Sequence, residues 1–407
     1  MKTYFVFHSF VHVNYSAYMN EVLVYNTENR YSLLSSNKNL IEAIKNMNKP
    51  EVNYFIELTN DYYLYENFRQ IITSLEDNMC GELFTCEGET IPVQFSSHIR
   101  MQNDLLFEDN FFNHNTKDDF INKIYLDDIG NDILLEVLEI SIFYGNLKKE
   151  YKYTNVHQQY MYPLAEDSPI LYDIDDIFKF DLPRLHTVNF IIGQLANNEI
   201  EILCRYISEN LSSKVVNLYT TYSIYKELTS NFLCMFNTIY IWTDRRSDME
   251  ETYPNNHKIL FLSENMSSLI EMEKHFNSNY LFPLYNGKNN YSIQEYLGFF
   301  KKDLLNNDFT EHDILVNTYI NSNFFGELTI YPNGNVHSCR NSPPIGNLRI
   351  NNIKEVVLEE LYKQKSWFIV RKRLGLCANC VFNRLCPPLS NIEMSINSPY
   401  LCEIYEQ

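Results

Sequence analysis

Glycine is scarce in this chain, at only 11 of 407 residues, which is under half of the average usage of about 7%. The sequence contains no G-x-G-x-x-G, no G-x-x-x-x-G-K-[ST] and no G-x-S-x-G. Those motifs build the turns that cradle nucleotide phosphates and the sharp turn that presents a catalytic serine. The sequence therefore gives no support to a dinucleotide-binding enzyme, a P-loop hydrolase or an α/β-type serine hydrolase.

Positive charge is also scarce. Lys and Arg number 33 against 52 Asp and Glu, for a formal net charge of −19, and there is no basic block. Nucleic-acid backbones are bound by clustered Lys and Arg side chains. No nucleic acid is therefore expected as a partner.

Long hydrophobic runs are missing. No apolar run approaches the length of about 18 residues that a membrane span needs, so no membrane partner is expected. The start, MKTYFVFHSF, is interrupted by His8, His12 follows, and no small-residue cleavage site comes next. A signal peptide needs an uninterrupted apolar stretch and a small-residue cleavage site. Because both are missing, the sequence predicts a cytoplasmic protein.

Cysteine is the residue type whose distribution is most informative. Cys377, Cys380 and Cys386 form a C-x2-C-x5-C motif, and Cys402 follows. Two thiolates three residues apart can bind one metal centre from a tight turn, and four buried thiolates without a metal would be costly. These four cysteines are predicted to bind either one [4Fe–4S] cluster or zinc. Cys339 apart, the other cysteines are predicted to be ordinary thiols, namely Cys80, Cys86, Cys204 and Cys234. Of these, Cys204 and Cys234 are predicted to lie in the core.

The sequence pattern predicts a small winged-helix-like module over residues 1–97. A helix is expected after a cap at Asn37 and another over about 61–77. The module lacks a basic recognition helix, which favours a protein or peptide as its ligand. Strands are expected at 11–15, 21–27 and 31–36.

Residues 98–134 are polar and acidic and are predicted to form a linker. Over 135–310, short apolar strands alternate with amphipathic helices, which indicates a parallel sheet covered by helices. We predict an α/β fold with a partial (β/α)6 barrel here. Its six strands are expected at 137–143, 187–192, 214–219, 237–242, 258–263 and 279–284.

Residues 311–407 form the last predicted domain. Asn333-Gly334 is a strong hairpin signal, so a hairpin is predicted over 326–339. A helix is expected at about 353–363, followed by the cysteine-rich tail.

The order of a partial barrel, a hairpin ending in cysteine and a cysteine-rich tail resembles the radical SAM/SPASM proteins. The matching stretches are CRNSPPIGNL (339–348) and CANCVFNRLCPP (377–388). The resemblance implies that the four cysteines of the tail hold one auxiliary [4Fe–4S] cluster. A second auxiliary cluster is not implied, because Cys339 is present but Asn351 and Ser390 stand where that pattern has cysteines.

The SAM-binding motif of that family is missing, since no C-x-x-x-C-x-x-C occurs in the sequence. Aligned by the resemblance, its cysteine positions hold Gly145, Lys149 and Lys152. Gln194 follows Gly193 where the family has a carboxylate for the SAM amine. Lysine side chains cannot bind iron as thiolates do, so SAM is not an expected cofactor and the chain is expected to be a pseudoenzyme.

This combination is similar to the pseudo-radical-SAM/SPASM proteins of Bacteroidales (GG-type) peptide-maturation systems. The resemblance implies two partners, the leader of a ribosomally made precursor peptide and a separate radical SAM maturase. The N-terminal module resembles the peptide-recognition (RRE) module of such systems, which adds the leader as a strand to its sheet. The edge expected to receive it is Tyr31, Ser32, Leu33, Leu34 and Ser35, although these residues would also suit simple packing.

Two other functions remain open. One is an enzyme that uses the barrel for non-radical chemistry, although no carboxylate pair or Cys–His constellation is evident there. The other is an interaction protein with a structural zinc tail. The residues expected at the strand ends for the enzyme are Lys149, Lys152, His157, Gln158 and Gln194.

Overall fold

The structure is a computed structural model that describes residues 2–47, 55–58, 64–87, 118–119, 137–145, 173–179, 182–263, 265–276, 281–283, 301–340, 342–395 and 402. The chain forms two compact units, and each is assembled from separate segments. The first unit comprises Met1–Asn115, Phe299–Ile320 and Val370–Pro388. The second unit comprises Thr116–Gly298, Asn321–Ile369 and Leu389–Gln407. The domain boundaries expected after residues 97, 134 and 310 stay predictions.

The first unit contains six strands of the described chain, and the second unit contains the rest. In chain order they are β1 (Lys2–Phe7), β2 (Val11–Ser16), β3 (Glu21–Asn26), β4 (Ser32–Ser35), β5 (Phe55–Leu58), β6 (Gly81–Cys86), β7 (Glu139–Tyr144), β8 (Thr187–Ile192), β9 (Val215–Thr221), β10 (Thr238–Thr243), β11 (His257–Ser263), β12 (Leu281–Pro283), β13 (Glu327–Ile330), β14 (Asn335–His337) and β15 (Gly346–Asn347).

The helices are short in both units. In chain order they are α1 (Lys38–Met47), α2 (Glu66–Asp77), α3 (Ile174–Phe178), α4 (Asn197–Asn210), α5 (Tyr222–Tyr225), α6 (Ser230–Leu233), α7 (Arg246–Met249), α8 (Met266–Glu273), α9 (Lys301–Asn306), α10 (Glu311–Tyr319), α11 (Ile353–Lys363), α12 (Gly375–Ala378) and α13 (Asn391–Ser395), with 3-10 turns at Ser366–Phe368 and Arg371–Arg373. Within the described ranges, no helix is long and apolar enough to cross a membrane.

The first unit is built on two antiparallel three-stranded sheets, ordered β5-β1-β6 and β2-β3-β4. The three strands predicted in this region are confirmed as β2, β3 and β4, and the two predicted helices as α1 and α2. The Asn37 cap is also confirmed, because its side-chain oxygen accepts from the amides of Asn39 (3.0 Å) and Leu40 (3.1 Å). The sheet of β1, β5 and β6 was not predicted.

Both sheets and both N-terminal helices of the first unit share one apolar core. Full burial of a single aliphatic side chain contributes about 1.5–3 kcal/mol, so this core holds the four elements together. Its buried members include Phe5, Phe7, Val22, Val24, Leu40, Ile44, Ile72 and Leu75.

The second unit is built on a nine-stranded sheet of order β12-β11-β10-β9-β8-β7-β13-β14-β15. The strands from β7 to β12 are parallel and lie in sequence order, and β13 is parallel to β7. All six strands predicted over 135–310 are confirmed, as are the hairpin of β13 and β14 and the helix α11. The α/β class is therefore correct, while closure into a partial barrel stays a prediction.

The two faces of this sheet differ in character, since successive side chains of a strand point to opposite sides. One face is aliphatic, as with Ile140 and Ile142 of β7 and Val188 of β8. The opposite face carries polar residues near the strand starts. Further along the strands, that face carries an aromatic cluster, of which Phe143 and Tyr219 are buried members.

Candidate functional site

The cysteine loop, residues 375–388 of the first unit, holds three of the four predicted ligands in a series of tight turns. The Cys380 amide donates to the Cys377 carbonyl at 3.0 Å. The Asn383 amide donates to the Cys380 carbonyl at 3.2 Å, and the Cys386 amide donates to the Phe382 carbonyl at 2.8 Å. Turns of this kind present neighbouring thiols from one short segment.

The donor chemistry of the cysteine loop fits a thiolate-bound metal centre. Cys377, Cys380 and Cys386 are only 5%, 7% and 9% exposed. The Phe382 amide donates to Cys380 Sγ at 3.4 Å, and such a bond favours the charged form of a thiol. In the described part of the chain, no three Cys, His, Asp or Glu side chains converge as a ligand set. Cys402 belongs to the second unit, so the four-ligand centre stays a prediction.

In the second unit, the residues at the positions of the missing auxiliary cluster form side-chain hydrogen bonds. Cys339 Sγ donates to the Asn391 side-chain oxygen at 3.1 Å. Asn351 donates to Glu355 at 3.4 Å. Ser390 Oγ accepts from the Glu393 amide at 3.2 Å and donates to the Glu393 carboxylate at 3.0 Å.

Gly145 directly follows strand β7 and has no room for a side chain. Its φ is +85°, and an added Cβ would lie 2.4 Å from Leu195 Cδ2 and 2.9 Å from the Gln194 carbonyl oxygen. A cysteine at the first position of the SAM-cluster motif would therefore require the backbone to move. The other predicted strand-end residues, apart from Gln194, lie outside the described residues: Lys149, Lys152, His157 and Gln158.

The predicted peptide-binding stretch is an edge strand. Within the described ranges, β4 pairs with β3 alone. Tyr31 and Leu33 pack against the core of the first unit, and the Tyr31 hydroxyl lies 2.9 Å from Ser74 Oγ of α2. The strand is therefore fixed to the unit through one side, with all of its residues partly buried.

The outward backbone groups of β4 follow from its register. The Asn26 amide donates to the Tyr31 carbonyl at 2.9 Å, so these two residues form a hydrogen-bonded pair. Such pairs alternate with non-bonded pairs in an antiparallel ladder. With Val24 opposite Leu33, the N–H and C=O groups of Ser32 and Leu34 point away from β3.

Two carboxylates face each other at the strand starts of the second unit, where the sequence indicated no pair. Glu139 opens β7 and lies directly opposite Glu327, which opens β13. Asn189 donates to the Glu139 carboxylate, and Asn217 donates to Asn189 at 3.0 Å. The sequence feature that could have indicated this pair is a glutamate at the first position of each of the two apolar strands.

Burial keeps a proton on this carboxylate pair. It raises the pKa of Glu327 to about 8, the negative charge of Glu139 adds to the rise, and the positive charge of Arg340 opposes it. Burial also raises the pKa of Glu139, against the hydrogen bond from Asn189. Near neutral pH the pair therefore holds at least one proton, as coupled carboxyls do.

The cysteines outside the tail differ in exposure. Cys80 is buried, and Cys86 and Cys204 are partly buried. The core position predicted for Cys234 is wrong, because this residue is exposed. It follows the short helix α6, and its thiol donates to the Asn231 carbonyl at 3.0 Å.

Comparison with known proteins identifies part of the chain. Residues 323–381 match the SPASM family, described as an iron-sulfur cluster-binding domain, which confirms that part of the resemblance. The chain is also similar to the crystal structure of Streptococcus suis SuiB bound to S-adenosylmethionine, at 11% identity and a TM-score of 0.38 over 98% of this chain and 100% of the other. At that score the similarity carries no functional argument. No curated protein matches the chain.

Proposed function

We propose that this protein is a non-catalytic accessory protein in the maturation of a ribosomally synthesised peptide. It binds the leader of the precursor, a partner radical SAM maturase, or both, in the cytoplasm. The observation that carries the proposal is the SPASM match over residues 323–381. That match includes Cys377 and Cys380, the first two thiols of the tail motif.

The non-catalytic part of the proposal is supported by the place where a SAM-binding cluster would be held. The motif is missing from the sequence, and the glycine at its first position is enclosed by Leu195 and Gln194. A cluster that binds SAM needs three thiolates and one open iron. This chain offers no such set of cysteines in its sequence.

The metal centre is proposed on the thiols of the cysteine loop together with Cys402. When bound, a [4Fe–4S] cluster would stabilise the loop that carries its thiolate ligands. The buried turns of the loop would hold the thiols, and the Phe382 amide, which donates to Cys380 Sγ, would stabilise the charge of a metal-bound thiolate there.

The leader is proposed to add to β4 as a further strand. Ser32 and Leu34 supply outward N–H and C=O groups at an edge that Tyr31 fixes to α2. Such an edge binds a peptide through hydrogen bonds between the two backbones, and pockets for the side chains of the peptide then give specificity.

Replacing Leu34 with proline is expected to weaken peptide binding. The change removes one outward N–H group and leaves the ladder to β3 intact, because that N–H does not bond to β3. Loss of a hydrogen bond worth about 1 kcal/mol, together with the steric effect of the ring, predicts a Kd at least about tenfold higher. The measurement is fluorescence anisotropy with a labelled synthetic peptide that carries a leader ending in Gly-Gly.

Leu34→Ala is the matched control, since it keeps the backbone donor and is expected to change the Kd by less than about threefold. Equal binding by the Leu34→Pro and wild-type proteins would place the leader elsewhere.

The carboxylate pair of Glu139 and Glu327 favours a second candidate function, an enzyme that uses general acid–base chemistry. A carboxyl with a raised pKa is suited to such work. However, the pair lies at the amino-terminal ends of the strands, whereas active sites of such folds lie at the carboxyl ends. Conversion of the precursor by this protein alone, abolished by Glu327→Gln, would favour the enzyme.

A further inference from the structure

Asn14 of strand β2 is bound to the cysteine loop by side-chain hydrogen bonds. Its Nδ2 donates to the Val381 carbonyl at 2.7 Å and to Asn383 Oδ1 at 3.1 Å. The Asn383 side chain in turn donates to the Ala378 carbonyl at 3.1 Å. Asn14 therefore binds β2 to the segment between Cys380 and Cys386. Through Asn383, that segment is in turn bonded to the segment between Cys377 and Cys380.

Two further contacts bind the same strand and its turn to the loop. Ser16 Oγ donates to the Asn379 carbonyl. Met19, in the turn after β2, accepts at its sulfur from the Val381 amide at 3.5 Å. The backbone between Cys377 and Cys386 is thus contacted at successive places by one short segment of the chain.

His12 extends this face of β2. Side chains alternate along a strand, so His12 lies on the same side as Asn14 and Ser16. It is 2% exposed, and burial, with a contribution from the charge of Arg384 in the loop, lowers its pKa to about 3. The ring is uncharged at neutral pH, so this face of β2 is a buried polar surface against the loop.

We propose that Asn14 and Ser16 are positioning residues for the metal-binding thiols of the cysteine loop. They hold the loop that carries Cys377, Cys380 and Cys386 on β2, so that metal retention depends on a strand near the other end of the sequence. This inference rests on the proposed metal centre. Residues that orient metal ligands in this way typically change metal affinity by about 10–100-fold when replaced.

Asn14→Ala is compared with Asn26→Ala in the full-length protein. Asn26 is a matched control, because it lies in the same sheet and its Nδ2 also donates two bonds, to the Asn78 carbonyl (3.1 Å) and the Met79 carbonyl (3.0 Å). Those bonds go to the turn after α2 and not to the cysteine loop. The first readout is the rate at which metal is released to a chelator, and the second is the rate at which each cysteine of metal-free protein is alkylated.

Metal release is expected to be about 10–100-fold faster in Asn14→Ala than in the wild type, and unchanged in Asn26→Ala even where that variant loses more thermal stability. In metal-free Asn14→Ala, Cys380 and Cys386 are expected to be alkylated about tenfold faster, because two hydrogen bonds are lost. Cys80, buried in the core of the same unit, is expected to react at the wild-type rate.

Unchanged release and alkylation in Asn14→Ala would overturn the inference, as would equal effects of the two substitutions. If wild-type protein holds no metal, the proposed centre fails, and the alkylation rates still decide whether β2 positions the loop. Should Asn14→Ala not fold, Ser16→Ala replaces it in both measurements. This substitution removes the bond to the Asn379 carbonyl and the bond that Ser16 Oγ accepts from the Met19 amide.

Discussion

Cys380→Ser is expected to remove the metal from the protein and to open the cysteine loop to protease, while the N-terminal sheets stay folded. Cys380 Sγ accepts the Phe382 amide, and its backbone takes part in turns with Cys377 and Asn383. Because a bound metal contributes directly to the folding of its site, loss of one ligand removes that contribution. We expect the metal content to fall by about tenfold or more.

Cys80→Ser is the matched control for this experiment. Cys80 is a buried thiol of the same unit that lies outside the motif, and the variant is expected to keep wild-type metal content. Metal content and limited proteolysis are measured on the same anaerobic preparations. A Cys380→Ser protein with full metal content would exclude this thiol as a ligand, and equal protease resistance of the loop would exclude metal as its stabiliser.

Glu327→Gln is expected to stabilise the protein above neutral pH and to have little effect at pH 5. The folded protein keeps a proton on Glu327 up to about pH 8, whereas the unfolded chain releases it near pH 4.5. Between these values the folded state binds more protons, so its stability falls as the pH rises. The uncharged amide of the variant would resemble the protonated carboxyl and remove this loss.

The expected gain at pH 8 is at least about 1 kcal/mol, or several degrees in Tm, since each pKa unit corresponds to about 1.4 kcal/mol. Glu209→Gln is the control, because it removes a charge from the exposed side of helix α4 and is expected to leave the pH dependence unchanged. A Glu327→Gln protein that follows the wild-type pH profile of Tm would contradict a proton held at this pair.

Local sequence patterns predicted much of the second unit. Six apolar strands separated by helical stretches, the Asn333-Gly334 turn and helix α11 each depend on residues that are close together in the sequence. Their parallel order then follows from the right-handed, sequential connections that such strands make. The sheet of β1, β5 and β6 had no such signal, because each of its strands pairs only with partners distant in the sequence.

The candidate site was predicted in its chemistry but not in its surroundings. The spacing of Cys377, Cys380 and Cys386 indicated thiol ligands, and the structure buries all three. The bonds from Asn14 join residues that are far apart in the sequence, so no local sequence pattern predicts them. The pairing of Glu139 with Glu327 likewise depends on the register of β7 and β13.

The most direct test of the central claim is the content of iron, acid-labile sulfide and zinc per chain after strictly anaerobic purification, with and without added SAM. We expect about four irons and four sulfides per chain, as one [4Fe–4S] cluster requires, with a spectrum that SAM does not change. About eight irons per chain, or a spectral change on addition of SAM, would mean that this protein holds a SAM-binding cluster after all and is an enzyme.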